Sequence, residues 1–291
     1  MITKVHPAAG NWDGTLVNAL AYYLANESSY GPGEFVQKEN THINENASSS
    51  SSSTTSTDNP IIEKDSKDGE MIYFRPGIVH RLDKGTTGII VVAKTKLALT
   101  QLSESFAKRK AKKTYLAITV GNPGKRIKID KPIGRHPIHR QRMRVVPDPK
   151  TKNSSGYSPM ERRNVNTMST SLSIAGRRAL SYVDTKAFDG KLSVVEVKIE
   201  TGRTHQIRVH LQDRHTPIYG DDVYGLTDWN KILSKKYQIE RPLLHAYRLE
   251  IDHPITGEQM IFHAPMADDM TRIANIIWPQ GKEERPELFH F

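Results

Sequence analysis

Residues 80–88 read His-Arg-Leu-Asp-Lys-Gly-Thr-Thr-Gly, and residues 202–211 read Gly-Arg-Thr-His-Gln-Ile-Arg-Val-His-Leu. Both blocks place charged side chains between apolar runs, where an element that serves only for packing would not carry them. The first block contains one carboxylate, Asp83, and the second contains an arginine, Arg208, at the margin of an apolar stripe. Arginine binds carboxylates through two parallel hydrogen bonds. The two blocks therefore predict a buried, functional ion pair between Asp83 and an arginine of the second block, Arg203 or Arg208.

Asp83 has two interpretations from its neighbours alone. An aspartate beside basic residues, here Arg81 and Lys84, most often caps a turn or forms a surface ion pair. Its position favours a functional role, because it leads into an apolar run and because Gly85 and Gly88 permit close approach of the backbone. An aspartate in such a place can act as a nucleophile or as a general base. Spacing and composition leave both interpretations open.

The second block carries two arginines and two histidines. Arg203 and Arg208 can bind carboxylate or phosphate and keep their charge when buried; the alternative is a pair of solvated surface arginines. His205 and His210 do not have the spacing that brings two metal ligands onto one helical face, and no nearby acid completes a ligand set. We therefore predict no metal site in this block.

The composition points to a polyanionic partner. Lys and Arg number 42 against 32 for Asp and Glu, which gives a formal net charge of +10 and a pI near 9.6. Nucleic acid is the commonest partner of such a surface, although some soluble proteins are basic without one. The chain has no cysteine, which excludes disulfides and thiolate metal sites. No run approaches the roughly 18 apolar residues of a membrane span, and we expect no membrane association.

Hydrophobic periodicity gives a coarse secondary structure. It predicts helices that begin at Thr15 and near Thr204 and that occupy 97–109 and 266–278, and strands at 89–93, 114–121, 178–188, 192–201, 243–251 and 258–264. The run at 89–93 is β-branched and continuous, which favours a fully buried strand. Asp189-Gly190 is a strong hairpin signal. Helices flank a strand-rich middle without regular βαβ alternation, so the predicted fold class is α+β with a mixed, largely antiparallel central sheet.

Tyr115 lies on the predicted strand 114–121, on the face opposite Leu116 and close to Lys113. An aromatic strand residue ordinarily covers sheet surface. A tyrosine beside a basic run can also stack on an unpaired base. Both interpretations stay open on the sequence pattern.

Taken together, these blocks resemble the RluA-type pseudouridine synthases, and in particular the branch that acts on large-subunit ribosomal RNA in bacteria. Residues 75–88, 113–117 and 202–211 resemble the family's catalytic, tyrosine and arginine blocks. Shorter matches lie at 5–11, 134–137, 244–246, 253–254 and 264–265. Three blocks in the family's order are far more specific than any one motif.

The resemblance implies the pseudouridine synthase catalytic fold and an isomerase that converts uridine to pseudouridine in structured RNA, with ribosomal RNA favoured and transfer RNA possible. Asp83 is similar to the family's nucleophile, and Tyr115 resembles the tyrosine that stacks on the target base and serves in proton transfer. Arg208 resembles the arginine that pairs with the nucleophile. Other residues implied in RNA or substrate binding are Arg81, which would fill the space left by the flipped uridine, His80, Lys113, Arg203, His205 and Arg135. The family uses no metal and no organic cofactor, and we expect a monomer whose partner is RNA.

The resemblance also suggests a division of the chain. Residues 1–26 are expected to start an N-terminally truncated catalytic domain, because relatives usually have opening strands before this segment. Residues 27–70 include an unbroken serine run and cannot offset their ordering entropy, which predicts a disordered low-complexity insert. Residues 71–278 would be the catalytic domain, with a flexible insert at about 147–174, and 279–291 a tail. The compartment stays open between the cytoplasm and an organelle, mitochondrion or plastid.

Two other functions compete with the isomerase. A catalytically inactive RNA-binding or ribosome-assembly factor could keep the fold without turnover. A glycoside or nucleoside hydrolase normally needs two paired carboxylates, and no second acid stands out near Asp83 in the sequence. Intact Asp83, Tyr115 and Arg208 favour the isomerase.

Overall fold

The computed structural model describes residues 5, 14–26, 36–38, 61–63, 72–74, 77–146 and 176–289. The chain divides into two compact units. The first comprises Met1–Lys84, Ile90–Lys110 and Asp252–Glu258, and the second comprises Gly85–Ile89, Ala111–Ile251 and Gln259–Phe291. The predicted insert at about 147–174 lies entirely outside the described residues, as does most of the predicted insert at 27–70.

The first unit contains two helices and short strands. Helix α1 (Leu16–Asn26) begins after Thr15, as predicted: the Asn18 amide donates to Thr15 Oγ1 over 3.4 Å and the Thr15 amide donates to Asn18 Oδ1 over 2.9 Å. Helix α2 (Lys96–Ala107) begins after Thr95, whose side chain accepts from the Ala98 amide. The strands are β1 (Val36–Lys38), β2 (Ile61–Glu63) and β3 (Ile72–Phe74), in the order β1-β3-β2, and the antiparallel pair β4 (Gly77–Ile78) and β6 (Val92–Ala93).

The second unit is built on a 7-stranded sheet with the order β14-β13-β7-β12-β11-β8 and with β5 parallel to β13. The strands are β5 (Thr87–Gly88), β7 (Lys112–Val120), β8 (Ile127–Asp130), β11 (Leu180–Phe188), β12 (Leu192–Ile199), β13 (Leu244–Asp252) and β14 (Gln259–His263). The pairs β7–β12, β7–β13, β11–β12 and β8–β11 are antiparallel. The predicted mixed, largely antiparallel α+β fold is therefore confirmed, and the β11–β12 hairpin turns at Asp189-Gly190 as predicted.

A separate antiparallel hairpin of the second unit joins β9 (Ile133–Arg135) to β10 (Met143–Val145). The helices of this unit are α3 (Gln206–Asp213), α4 (Thr227–Tyr237), α5 (Asp268–Ile277) and α6 (Gly281–Glu284), followed by a 3-10 turn at Pro286–Leu288. The core joins buried residues of β7, such as Ile118, to Met270 and Ile273 of α5. Leu288 and Phe289 belong to the same core, so the folded chain continues beyond the predicted start of the tail at 279.

The prediction of one fully buried strand at 89–93 is wrong. The Ile89 amide donates to the carbonyl of Ala246 on β13 over 3.0 Å, whereas Val92 pairs with Ile78 of β4 in a different sheet. The residues from Ile89 to Val92 are only half-buried. β-branched residues favour extended backbone, but the run itself does not say which sheet each residue joins.

Candidate active site

The loop that carries Asp83 belongs to the first unit and is anchored by His80. The Val91 amide donates to His80 Nε2 over 2.9 Å, and the imidazole stacks on the Phe106 ring with 4.8 Å between centroids. Because Nε2 accepts, this imidazole is neutral with its proton on Nδ1. Arg81 is exposed and Asp83 is half-buried. His80 therefore holds the loop by packing, and the loop presents Arg81 to solvent.

The chain after Lys84 enters the second unit and is fixed on β13. Gly88 has φ +109° and lies so close to β13 that a Cβ would be 2.2 Å from the carbonyl oxygen of Ala246. One residue earlier, Thr87 Oγ1 and His245 Nδ1 are 2.8 Å apart. His245 Nε2 also lies 3.0 Å from the carbonyl oxygen of Ala264, so this buried histidine is fully hydrogen-bonded, as expected of a core residue. Glycine at position 88 is required by both space and backbone conformation.

Gly85 is held by a half-buried arginine, Arg241. Arg241 donates from Nη1 to the Gly85 carbonyl oxygen over 3.2 Å, and its guanidinium forms a bidentate ion pair with Asp269 at the start of α5. Gly85 adopts φ +78°, a conformation that glycine allows at low cost. The turn after the Asp83 loop is thus tied to the sheet and to helix α5.

Tyr115 occupies the row of the sheet that also contains Gly88. Tyr115 pairs with Val197 of β12 on one side and with Ala246 of β13 on the other, and Ala246 pairs with Gly88. Strands lie about 4.8 Å apart, so roughly 10 Å separate the backbones of Tyr115 and Gly88. Tyr115 is 8% exposed. Strand β7 is covered on both faces from Thr114 onward.

Helix α3 carries Arg208 into the interior of the second unit, where an aspartate binds it. Arg208 Nε donates to Asp221 Oδ2 over 2.7 Å and Nη2 donates to Asp221 Oδ1 over 2.8 Å. A second acid, Asp222, has Oδ1 3.7 Å from Nη2 but is exposed. Asp221 binds the Nε–Nη2 edge of the guanidinium. The predicted pairing of Arg208 with Asp83 joins residues of different units and stays a prediction.

Asp221 also organises the turn that contains it. Its Oδ1 accepts from the amides of Val223 and Tyr224, each over 2.9 Å. Asn230 of α4 donates to the Asp221 carbonyl oxygen and accepts from the Gly220 amide. The carboxylate that neutralises Arg208 is therefore fixed by the backbone around it.

A buried polar network sets the position of helix α3. Gln206 Oε1 accepts from Thr201 Oγ1 over 2.7 Å and from the Arg203 amide over 3.0 Å. Gln206 Nε2 donates to the Leu180 carbonyl oxygen and to Ser181 Oγ on β11. All four hydrogen-bonding positions of this amide are used, so the first turn of α3 has one arrangement relative to β11.

His210 extends that network. Its Nδ1 lies 2.9 Å from Ser181 Oγ and its Nε2 lies 3.1 Å from the Lys131 carbonyl oxygen. The side chain is wholly buried, and this burial lowers the pKa of His210. The imidazole is neutral, and both ring nitrogens have partners.

The remaining predicted binding residues of the second unit surround this framework. A Cβ at Gly202 would lie 3.2 Å from Lys113 Nζ, so the ammonium rests against the loop before α3, and burial lowers the pKa of Lys113. Arg203 Nε donates to the Arg178 carbonyl oxygen over 3.0 Å. His205 is the N-cap of α3 with φ 55°, and exposed Arg135 donates to the Arg140 carbonyl oxygen on the β9–β10 hairpin.

Sequence reasoning missed Asp221, Tyr224 and Gln206. Asp221 and Tyr224 lie in the segment Gly220-Asp221-Asp222-Val223-Tyr224-Gly225, in which glycines bracket two acids and an aromatic residue. That pattern indicates a tight polar turn but does not reveal that the turn packs on α3. Among the described residues, no cluster of three His, Cys, Asp or Glu side chains could hold a metal ion. In the same part of the chain, no helix is both long and apolar enough to cross a membrane.

Comparison with known proteins gives consistent matches. The family model of RNA pseudouridylate synthases matches residues 40–213. The ribosomal large subunit pseudouridine synthase D of Nitrosomonas europaea is 33% identical over 97% of this chain and 62% of its own length. The protein of the same name from Escherichia coli K12 is 32% identical over 98% of this chain and 68% of its own length. The chain thus spans under two thirds of the Nitrosomonas protein. The structure of human RNA pseudouridylate synthase domain containing 4 aligns with a TM-score of 0.50 and 25% identity over 70% of this chain and 76% of that one.

Proposed function

Because the chain belongs to the RNA pseudouridylate synthase family, we propose that it isomerises uridine to pseudouridine in structured RNA. Relatives that match almost the whole chain are named for the large ribosomal subunit, which favours ribosomal RNA over transfer RNA as the substrate. The catalytic domain is proposed to begin at about residue 71, to be interrupted at about 147–174, to include the core residues Leu288 and Phe289, and to act as a monomer.

The reaction needs no co-reactant. The bond between N1 of uracil and C1′ of ribose breaks, the freed base rotates, and a bond forms between C5 and C1′. The proton on C5 leaves and N1 gains one, so atoms and electrons balance within the nucleotide and water. The uridine must leave its stack to be reached, as other base-modifying enzymes require.

Three residues are proposed to carry the chemistry. Asp83 attacks the ribose or assists cleavage at C1′, and Arg208 keeps this carboxylate ionised and aimed. Tyr115 stacks on the uracil and takes part in proton removal from C5. Arg81, exposed on the loop of Asp83, fills the space that the everted base leaves. His80 supports this role by anchoring the loop rather than by reaching solvent.

The observation that carries the proposal is the setting of Arg208. A buried guanidinium is costly unless it is paired, and here a carboxylate fixed by its own turn neutralises one edge of it. Such an arrangement holds a cation rigidly at a defined place, which serves a reaction centre better than it serves stability. The polar framework of Gln206 fixes the helix that presents it.

The β9–β10 hairpin, residues 133–145, is proposed to contact RNA phosphates and is here called the basic hairpin. It carries Arg135, His136, His139, Arg140, Arg142 and Arg144. With a formal net charge of +10 on the chain, RNA binding should weaken steeply with salt.

Tritium release tests the proposal and separates it from the binding-factor alternative. The chain is incubated with transcribed ribosomal RNA that contains 5-tritiated uridine, and tritium in water is counted together with RNA retained on a filter. We expect release by the wild type and none by Asp83→Ala. Retention of RNA by the wild type without release would select the inactive RNA-binding or ribosome-assembly factor.

A further inference from the structure

Tyr224 lies at a junction between the basic hairpin and helix α3. It is 3% exposed and belongs to an apolar cluster with Ile133 of β9 and Val209 of α3, against which Met143 of β10 also packs. The hairpin therefore rests on α3 through this ring. All of these residues lie in the second unit.

The hydroxyl of Tyr224 links the same two elements by hydrogen bonds. The Met143 amide donates to Tyr224 Oη over 2.8 Å, and His205 Nδ1 lies 2.8 Å from the same oxygen. Burial raises the pKa of Tyr224, so the hydroxyl keeps its proton at neutral pH. The Met143 amide donates to Oη, and the direction of the second hydrogen bond is set by the tautomer of His205. One oxygen thus joins the backbone of the hairpin to the N-cap of α3.

The ring of Tyr224 lies near one guanidinium from each element. The guanidinium carbon of Arg208 on α3 is 5.0 Å from the ring centroid, and that of Arg142 on the hairpin is 5.8 Å away. Both lie within the range of a cation–π interaction. The Tyr224 amide is bound by Asp221, the carboxylate that also binds Arg208. The ring, the hydroxyl and the shared aspartate therefore form a continuous set of contacts from the hairpin to helix α3 and Arg208.

We propose that Tyr224 is a positioning residue that couples the basic hairpin to Arg208, so that RNA contact with the hairpin sets the place of the catalytic guanidinium. This coupling rests on the proposed function for its biological meaning. The physical coupling does not depend on turnover. Binding of RNA at the hairpin restricts Met143, and Tyr224 transmits that restriction to α3. Spatial continuity alone does not establish coupling, so a coupling measurement is required.

Hydrogen exchange with and without RNA tests the coupling independently of turnover. The wild type and Tyr224→Phe are each bound to a transcribed ribosomal RNA fragment, and exchange is measured in peptides that cover the hairpin and α3. In the wild type, RNA should slow exchange in both elements. In Tyr224→Phe, which keeps the ring and loses the two hydroxyl bonds, the hairpin should stay protected while α3 loses its protection. Equal protection of α3 in both proteins would overturn the proposal.

Single-turnover kinetics at saturating RNA provide the second readout. Removal of one hydrogen-bonding group of this kind typically slows a step about two- to tenfold, and we expect this loss in Tyr224→Phe. Arg140→Ala, at an exposed hairpin position, should slow the single-turnover rate at saturating RNA when Tyr224 is present. In the Tyr224→Phe background the same change should weaken RNA binding without slowing the saturated rate further. An equal cost in both backgrounds would contradict the coupling.

Control variants separate this result from other failures. Tyr219→Phe removes the hydroxyl of another buried tyrosine, 2% exposed and packed edge-on against Trp229, and should change neither readout. His205→Asn introduces a residue that tolerates the left-handed backbone at this N-cap. It should uncouple α3 from the hairpin as Tyr224→Phe does, and it provides the test if Tyr224→Phe folds poorly. If RNA slows exchange in α3 of the wild type but not of Tyr224→Phe, and no tritium is released, the proposed function is wrong and the coupling stands. If tritium is released and RNA slows exchange in α3 equally in both proteins, the coupling is wrong and the proposed function stands.

Discussion

Arg208 and Asp221 form a bidentate ion pair in which the two side chains are 5% and 0% exposed. The pair links helix α3 to the turn before α4, and backbone amides of that turn donate to the carboxylate of Asp221. A buried ion pair adds little net stability over an apolar pair, but loss of one partner leaves the other charge buried and unpaired. Substitution of the aspartate is therefore a sharp probe of the site.

Asp221→Asn should lower the free energy of unfolding by about 3–5 kcal/mol, because it leaves the Arg208 guanidinium without its charged partner. The matched control is Asp222→Asn. Its carboxylate is 76% exposed and 3.7 Å from Arg208 Nη2, so the cost should be below about 1 kcal/mol. Urea unfolding of both variants gives the comparison, and equal stabilities would show that Asp221 does not neutralise Arg208.

Gln206→Leu should destabilise the second unit by about 2–4 kcal/mol, because it removes the acceptor of the Arg203 amide and of the Thr201 hydroxyl and one of the hydrogen bonds at the Leu180 carbonyl and the Ser181 hydroxyl. Gln212→Leu changes an exposed glutamine of the same helix and should be close to neutral. Thermal unfolding followed by circular dichroism checks both. A Gln206→Leu protein as stable as Gln212→Leu would remove the argument that this network fixes α3.

Gly88→Ala should prevent β5 from pairing with β13, since the new Cβ would be 2.2 Å from the Ala246 carbonyl oxygen. Gly190→Ala is the matched control: φ is +96° against +109°, but no atom lies within 4 Å of its Cβ. Both variants share a backbone strain of about 1–3 kcal/mol, and Gly88→Ala adds the clash. Unfolding free energies measure the difference, which should vanish if β5 does not lie on β13.

The stability of the fold should fall in mild acid because of His210 and His245. Burial lowers the pKa of both below the ordinary 6.5, so the unfolded chain binds protons that the folded chain rejects. Stability is therefore complete above that pH and is lost as the pH falls below it, at up to about 1.4 kcal/mol per pH unit for each histidine. Urea unfolding at about pH 7.5 and about pH 5 measures the effect.

The histidine origin of this pH dependence has its own control. His245→Gln should flatten the dependence, whereas His139→Gln, at an exposed position of the basic hairpin, should leave it unchanged. A pH dependence that is identical in both variants and in the wild type would show that His245 does not contribute to the loss.

Local signals were sufficient for much of the fold. The Asp189-Gly190 turn, the stripe of Ile207 and Leu211 and the amphipathic helix α5 follow from turn chemistry and periodicity. The division of residues 89–93 between two sheets could not be predicted, because it depends on the fit of Gly88 against Ala246. Periodicity describes a segment and not its partners.

The site shows the same limit. Asp83, Tyr115 and Arg208 could be chosen from the three sequence blocks, but Asp221 and Tyr224 could not, since tertiary packing brings their turn to α3. RNA binding by His80 stays a prediction, and the structure adds that its ring packs on Phe106. A histidine beside an arginine and an aspartate has the same sequence pattern in either role.

Asp83 is proposed to carry out the isomerisation, and Asp83→Asn isolates the role of its charge, because the change removes one charge and keeps the shape of the side chain. Tritium release from 5-tritiated uridine in ribosomal RNA is measured at enzyme concentrations where filter binding shows equal RNA occupancy for the variant and the wild type. We predict wild-type release and, for Asp83→Asn, release at the level of a reaction without enzyme. Release by Asp83→Asn within about tenfold of the wild-type rate, a difference of only about 1.4 kcal/mol in the barrier, would contradict the account.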